Sequence, residues 1–509
     1  MICHGDVTRV PGHAGCRRLV RHALAPLRES APTDWLSQAA WEALETEGAE
    51  ALTRLAVPET VLVQCAGGAA PLAGLEAVDD PVNLLDAAAA GSLLAALGRF
   101  LSDWRQGVAA MLERLAADRH ALSTQLAIAP GAHVSAIEGP CSEYHGAACV
   151  RRIVFSDGRA VAYKPRPVTR EAQWARLAGW LAETEIAELF AADTLVRDGY
   201  GWCAWIAAGE VPDDAALGVF YKRAGELLFW LWLTNSRDAV ASNLVARGAE
   251  PVLIDCETCF YPGHADAASD LSRTGYLPTP GGDPARSRSG LARAAEVRHA
   301  VRAVEVDAAG RVALVRREVA DASLRHLPRR GGLARPVQGA AVRRGFRTAW
   351  QRAAARASDL LAPSGPLRVD VSGTGTKTEA GAGRFVVRPT VLYGELLAGY
   401  LAAARRTGWL DEMLSALPPP AGPSDPDAQA RVRAQERDQL AALSIPAFAY
   451  RAVGEEVRLV APDLPLKGMI SGEACAARRL AALDETGLAA ALAEIEAALC
   501  AESDPTQTE

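Results

Sequence analysis

The chain has 509 residues, too many for one ordinary core, so two or three packed lobes are expected. Half of the residues are hydrophobic and 23% are charged, a globular balance that excludes a disordered or fibrous chain. With 54 basic against 61 acidic residues the net charge is -7, which excludes a global attraction to nucleic acid or to an anionic membrane.

The first 130 residues read as a helical N-terminal region. Segments 35–55 and 83–115 place apolar residues at i, i+3, i+4 and i+7, and Pro26, Pro32, Pro58, Pro71 and Pro81 punctuate them. The start carries Asp6 and Arg9 and no apolar h-region. The ten cysteines lie at wide spacings, so a cytoplasmic protein with free thiols is expected. Cys256 and Cys259 form a C-x-x-C without a second pair, which reads as two core thiols rather than a zinc site.

From residue 131 the texture changes. Residues 149–155 and 160–164 flank Ser156-Asp157-Gly158 and predict a β-hairpin. Helical periodicity returns over 170–189 and 214–234. The run 227–233 (LLFWLWL) is too short to span a membrane and reads as the buried end of a core helix. Residues 251–255 then predict a short buried strand.

The stretch 262–345 is poor in pattern, with a mobile loop expected at about 276–292. A helix is expected near 346–361, a strand at 368–371, a Gly/Thr-rich loop at 372–383, a strand at 384–389 and a helix at 391–404. A Pro-rich break at about 417–425 precedes a strand-like piece at 457–460 and helices around 473–500. The string 372–378 is not a P-loop, because Thr376 stands before Lys377 where that motif requires Gly.

Three separated pieces carry chemistry suited to phosphoryl transfer. Lys164 closes a hairpin strand and can project its ammonium towards phosphates from a rigid base; the ordinary alternative is a solvated edge charge. Asp238 and Asn243, five residues apart, are followed after a hydrophobic strand by Asp255 and Glu257. Such a set lets Asp238 orient a substrate hydroxyl, while Asn243 and Asp255 hold magnesium between phosphates. In an extended segment Asp255 and Glu257 would share a face. Arg384 and Arg388, on same-face positions of a strand, with Thr390 two residues on, suit a phosphate-bearing intermediate.

The order of these pieces, the string PVLIDCETCF, R-x3-R-x-T followed by Tyr393, and the late S-I-P-A-F at 444–448 resemble the dehydratase domain of class II lanthipeptide synthetases, the LanM type. The resemblance covers about residue 131 to the end. It implies an α+β, lipid-kinase-like two-lobed core over 131–509 behind the helical region 1–130. It also implies use of ATP and Mg2+ to phosphorylate Ser and Thr of a precursor peptide bearing a leader, followed by phosphate elimination. By the family pattern Asp238, Asn243 and Asp255 serve the kinase step with Glu257 beside them. Arg384 and Thr390 match elimination positions and Lys164 a phosphate-contacting lysine; Glu257 and Arg388 are expected to bind the cofactor, and His145 is expected among the catalytic residues.

Two departures stand out. Val240 replaces the His of the family's D-x-H-x-x-N, and Ser142-Glu143-Tyr144-His145 replaces G-D-x-H, keeping His145. No late Cys with a Cys-His pair is found, so no cyclase domain is expected and ring closure would fall to a separate cyclase. Two other readings stay open: a phosphotransferase that stops at the kinase step, and a degenerate half that binds peptide or partners without catalysis.

Overall fold

The computed structural model describes residues 3–32, 35–75, 92–264, 270–280, 282, 287–292, 297–321, 324–368, 382–453 and 456–500. In chain order its helices are α1 (His13–Ser30), α2 (Gln38–Cys65), α3 (Leu93–Gln125), α4 (Thr169–Glu183), α5 (Asp214–Leu233), α6 (Gly339–Ala355), α7 (Ala357–Leu360), α8 (Thr390–Ala402), α9 (Trp409–Ala416), α10 (Pro426–Ala441), α11 (Gly472–Ala481) and α12 (Glu485–Cys500). Strands in chain order are β1 (Val134–Glu138), β2 (Arg151–Phe155), β3 (Ala160–Lys164), β4 (Thr194–Arg197), β5 (Tyr200–Ala204), β6 (Leu244–Arg247), β7 (Glu250–Leu253), β8 (Gly263–His264), β9 (Val297–Val306), β10 (Val312–Asp321), the short pair β11 (Arg329–Arg330) and β12 (Leu333–Ala334), and β13 (Gly383–Phe385). The fold is mixed α+β, with several small antiparallel sheets.

The chain forms two compact units, each discontinuous in sequence. Unit 1 comprises Met1–Arg166, Ala300–Glu318 and Val386–Phe448; unit 2 comprises Pro167–His299, Val319–Phe385 and Ala449–Glu509.

Unit 1 begins with the helices α1 to α3. Ser37 and Ser92 cap α2 and α3 by accepting the N–H of Ala40 and Ala95 at 3.1 and 3.2 Å. Pro58 does not end α2, contrary to its reading as punctuation: the helix runs through it to Cys65. The Arg54 carbonyl that loses a partner to Pro58 lies 4.0 Å from the Cys3 thiol. The hairpin β2–β3 forms in the expected place, with Arg151 opposite Tyr163, and β1 pairs with β2 on its other side.

One buried carboxylate binds these parts together. Glu47 of α2 accepts two hydrogen bonds from Arg151 of β2 at 2.6 and 2.9 Å, one from Trp104 Nε1 of α3 at 3.0 Å and one from the Tyr144 hydroxyl at 3.0 Å. Burial pushes its pKa up, but the charge of Arg151 and these donors together hold it below the usual carboxylate range.

In unit 2 the core surrounds α5, which is apolar on nearly every face and buried from Ala224 to Leu233. It crosses α6 with the backbones touching. A Cβ on Gly225 would stand 1.9 Å from the Val342 carbonyl oxygen, and one on Gly345 would stand 1.8 Å from that of Lys222. Only glycine permits this approach at both positions. The hairpins β4–β5 and β6–β7 are antiparallel.

The stretch 262–345 holds more structure than its composition suggested. The ten-residue strands β9 and β10 form a ribbon there. The expected mobile loop 276–292 is anchored at both described ends. Tyr276, Leu277 and Leu291 are buried in the core, and Leu291 N–H donates to the Tyr276 carbonyl at 2.8 Å. Residues 281 and 283–286 lie outside the described part. So do residues 369–381, and with them the string 372–378 and most of the expected strand 368–371.

Replacing Glu47 by Ala would leave Arg151 buried and unpaired, and chemical denaturation should register a loss of about 3–5 kcal/mol. A Glu47→Leu/Arg151→Met double variant should recover most of that loss. A single-variant cost within error of zero would remove Glu47 from this role.

Candidate functional site

The best-defined constellation lies in unit 2, where α5 ends. Asn235 leaves the helix in the left-handed region, at φ 53°, and donates its amide to the Tyr261 carbonyl at 2.7 Å. Ser236 Oγ lies 2.8 Å from Thr234 Oγ1 and accepts the Phe260 N–H at 3.3 Å. Arg237 N–H donates to the Thr258 carbonyl at 3.2 Å, and Thr258 Oγ1 donates back to the Arg237 carbonyl at 2.6 Å. The descending loop is therefore stitched to the turn that follows β7.

Asp238 follows, also left-handed at φ 60°. The Asn243 amide donates to its carbonyl at 2.8 Å and to its carboxylate Oδ2 at 3.1 Å. The five-residue spacing thus brings the two side chains into contact across a tight turn. Ala239 N–H donates to the Thr274 carbonyl and Ala241 N–H to the Arg288 carbonyl, both at 2.8 Å, which fixes the outer side of the turn. Val240 pairs by backbone with Ser289.

β6 and β7 then return the chain to the same place, and Ile254 N–H donates to the Asn243 carbonyl at 2.9 Å. Asp255 leaves β7 beside Asn243. The shared-face argument for Asp255 and Glu257 does not hold, because the strand stops at Leu253 and Glu257 opens a turn. Glu257 instead anchors β13. Its Oε1 pairs with Arg384 Nη1 at 2.7 Å, and its carbonyl accepts the Arg384 N–H at 3.1 Å.

Electrostatics mark Asp238 out. Although the residue keeps an exposed edge, desolvation and then the negative charges of Asp255 and Glu257 raise its pKa to about 6. Arg384 and the Asn243 hydrogen bond oppose that rise. The like charges of Asp255 and Glu257 acting on Asp238 make a setting that favours a cation. The donor set is all oxygen, as magnesium prefers: Asn243 spends its amide nitrogen on Asp238 and keeps Oδ1 as an acceptor, next to Asp255. Among the described residues no group of three or more His, Cys, Asp or Glu is placed to hold a metal ion. Cys256 and Cys259 are buried in the core of unit 2.

A family model described as a domain of unknown function (DUF4135) matches residues 92–451, well over half of the chain. The chain belongs to the DUF4135 family. This domain occurs in the N-terminal dehydratase region of LanM-type enzymes. No curated protein matches the chain.

The remaining expected residues of this DUF4135 chain lie in unit 1. Lys164 ends β3 with only 4% of its surface exposed, so it is not a solvated edge charge. Thr390 is the first residue of α8, and its hydroxyl bonds to no described residue. Arg388 does not share a strand face with Arg384, because β13 ends at Phe385. It is buried instead, pairing with Glu436 of α10 at 2.7 Å and donating to the Pro418 carbonyl at 2.7 Å. Tyr393 donates to the same Glu436 oxygen at 2.7 Å. Part of the R-x3-R-x-T…Y string is thus an internal brace, and Arg388 as a phosphate contact is not supported by this geometry. His145 bonds through Nδ1 to the Ile445 carbonyl at 2.8 Å, and Ser444 Oγ accepts the Gly146 N–H at 2.7 Å. The S-I-P-A-F segment therefore seats the turn that carries His145.

A raised carboxyl pKa contributes stability that is complete below about pH 4 and lost as pH rises through about 6. Asp238→Asn, in chelator-treated buffer, should therefore melt higher than the unsubstituted chain at pH 8 and lose that advantage at pH 4. Identical shifts at both pH values would contradict the raised pKa.

Proposed function

We propose that this chain is an ATP-dependent dehydratase of Ser and Thr in a ribosomal precursor peptide, working by phosphorylation and then phosphate elimination. The observation that carries the reading is the Asp238–Asn243 contact with Asp255 delivered beside it, in a chain whose DUF4135 domain occurs in LanM dehydratase regions. The reading includes a lipid-kinase-like two-lobed core, recognition of the peptide's leader and a separate cyclase for any ring closure.

Asp238 is the group that takes or orients the substrate hydroxyl proton, being already shaped by Asn243. Asn243 and Asp255 are the residues that would hold Mg2+, which supplies charge neutralisation to the phosphates when bound. Lys164, projecting from a rigid strand end, is the phosphate-facing ammonium. In the second step the Cα proton goes to a base, the Cβ–O pair leaves with the phosphate, and a Cα=Cβ bond forms. Hydroxide is a poor leaving group and phosphate a good one, and cations at the departing oxygens lower the barrier further. Arg384 and Thr390 are the residues for that stage, Arg384 preset by Glu257 and Thr390 with a hydroxyl that bonds to no described residue.

A second reading, phosphorylation without elimination, is favoured by one observation. The Arg384 charge is already shared with Glu257.

Intact-mass measurement of a candidate precursor incubated with the chain, ATP and magnesium decides between them. Loss of one water per modified Ser or Thr supports dehydration, and accumulation of phosphopeptide by the unsubstituted chain supports the second reading. Arg384→Ala should convert the first outcome into the second. Asp238→Ala should slow phosphate incorporation by about 10²–10⁴-fold. No mass change on several Ser/Thr-rich peptides, with no binding of ATP, would overturn both.

A further inference from the structure

Three arginines of unit 2 sit on segments bonded to the Asn235–Ala239 stretch and form no ion pair among the described residues. Arg237 is the chain neighbour of Asp238. Its guanidinium lies 4.5 Å above the Tyr261 ring, and its Nε is buried with no hydrogen-bond partner. Arg479 of α11 donates to the Trp232 carbonyl and, at 2.8 Å, to Asn235 Oδ1. Since Asn235 holds the Tyr261 carbonyl at 2.7 Å, both guanidiniums flank one junction of the loop. Arg273 is exposed on the 3₁₀ turn Leu271–Thr274, whose Thr274 carbonyl holds the Ala239 N–H.

None of the three has an ion pair among the described residues. Elsewhere in unit 2 the common pattern is different: Arg170 pairs with Glu473, Arg223 with Glu188 and Arg384 with Glu257. The acid beside Arg273, Asp270, is engaged by the Ser272 N–H at 2.8 Å and by Glu494. Burial and mutual repulsion both act on the cluster: Arg479 is pushed down to about 10 by burial, then by Arg237 and Arg273. Arg237 is lowered by burial and by Arg273. Buried positive charge without a counter-charge is costly, and a compact dianion supplies the missing charge and accepts several guanidinium hydrogen bonds at once.

We propose that Arg237, Arg273 and Arg479 form a binding site for a phosphate monoester group, separate from the Asp238 constellation and set directly behind its loop. A dianion there bridges α11, the 3₁₀ turn and the Asn235–Asp238 descent, and so ties the loop to both neighbouring elements. The charge and hydrogen-bonding capacity fit a phosphorylated Ser or Thr side chain, or the inorganic anion. The inference does not rest on the dehydratase reading, because it concerns binding alone.

The test is calorimetric titration of the full chain, at matched ionic strength, with inorganic phosphate, with a phosphoserine peptide and with chloride. Saturable binding of phosphate species and none of chloride is expected. Arg237→Gln and the exposed Arg273→Gln should each weaken binding by about tenfold or more, while Lys164→Ala with Arg384→Ala leaves it in place. Arg273→Gln keeps the test valid should Arg237→Gln fail to fold. Tighter binding of the phosphopeptide than of the free anion assigns the source to a modified side chain, and equal binding assigns it to the anion. Binding that survives both Gln variants, or that is lost on removing Lys164 and Arg384 instead, overturns the proposal. A mass experiment without dehydration would leave this result untouched.

Discussion

Glu47 sits in the middle of α2 with almost no access to water, and it stays ionised because Arg151, Trp104 and Tyr144 bring their donors to it. Those donors come from a strand, a second helix and the turn before the strand. The same contact therefore fixes where β2 lies against α2 and where the His145 turn begins. β2 in turn positions β3, and β3 ends in Lys164. A buried ion pair of this kind adds little net stability over an apolar pair, but its geometry is demanding. In unit 1 it sets the register of the hairpin, and a slip of one residue would move Lys164 to the other face.

Unit 2 solves its placement problem with hydrogen bonds rather than with charge. The loop from Asn235 to Asn243 is neither helix nor strand for most of its length, and two of its residues adopt the left-handed region. It holds that shape because its backbone groups find partners on three sides: the turn after β7, the Leu271–Thr274 turn and the segment around Arg288. Charge enters only at the tip. There Asp238 feels the negative charges of Asp255 and Glu257, and Arg384, which opposes them, also pairs with Glu257. The scaffold is settled while the tip is not, the usual division between a support and a reactive site.

Much of this was legible in the chain. Turn chemistry at Ser156-Asp157-Gly158 and alternation on either side were enough for the β2–β3 hairpin, and the apolar density of 214–234 was enough for a buried helix. The approach of Asp238 to Asn243 was also legible, since a short spacing in a polar loop leaves few alternatives. Side-chain partnerships between distant segments were not. Nothing in the sequence near Arg388 announces Glu436, and the alternation that suggested a strand through 384–388 is broken by a bend after Phe385. Glu257 was misplaced for a related reason: the apolar run that predicts β7 gives no sign of where pairing stops. The β9–β10 ribbon was missed because its strands carry arginine and glutamate at positions that an ordinary half-buried sheet would give to apolar residues.

The crossing of α5 and α6 has a consequence for how the site can vary. With Gly225 and Gly345 seated against the opposing backbones, α5 can neither slide along α6 nor turn on its own axis without collision. The Asp238 loop leaves α5 directly at Thr234, so that helix end is a fixed origin from which the loop is measured out. Residues within the turn can then be exchanged, as Val at position 240 illustrates, without displacing its two ends. Length is a different matter. One residue added or removed between Leu233 and Leu244 would have to be absorbed entirely by the loop, since neither the helix before it nor the hairpin after it has room to follow. In this chain the spacing from Asp238 to Asn243 is guarded from Gly225, well upstream in α5.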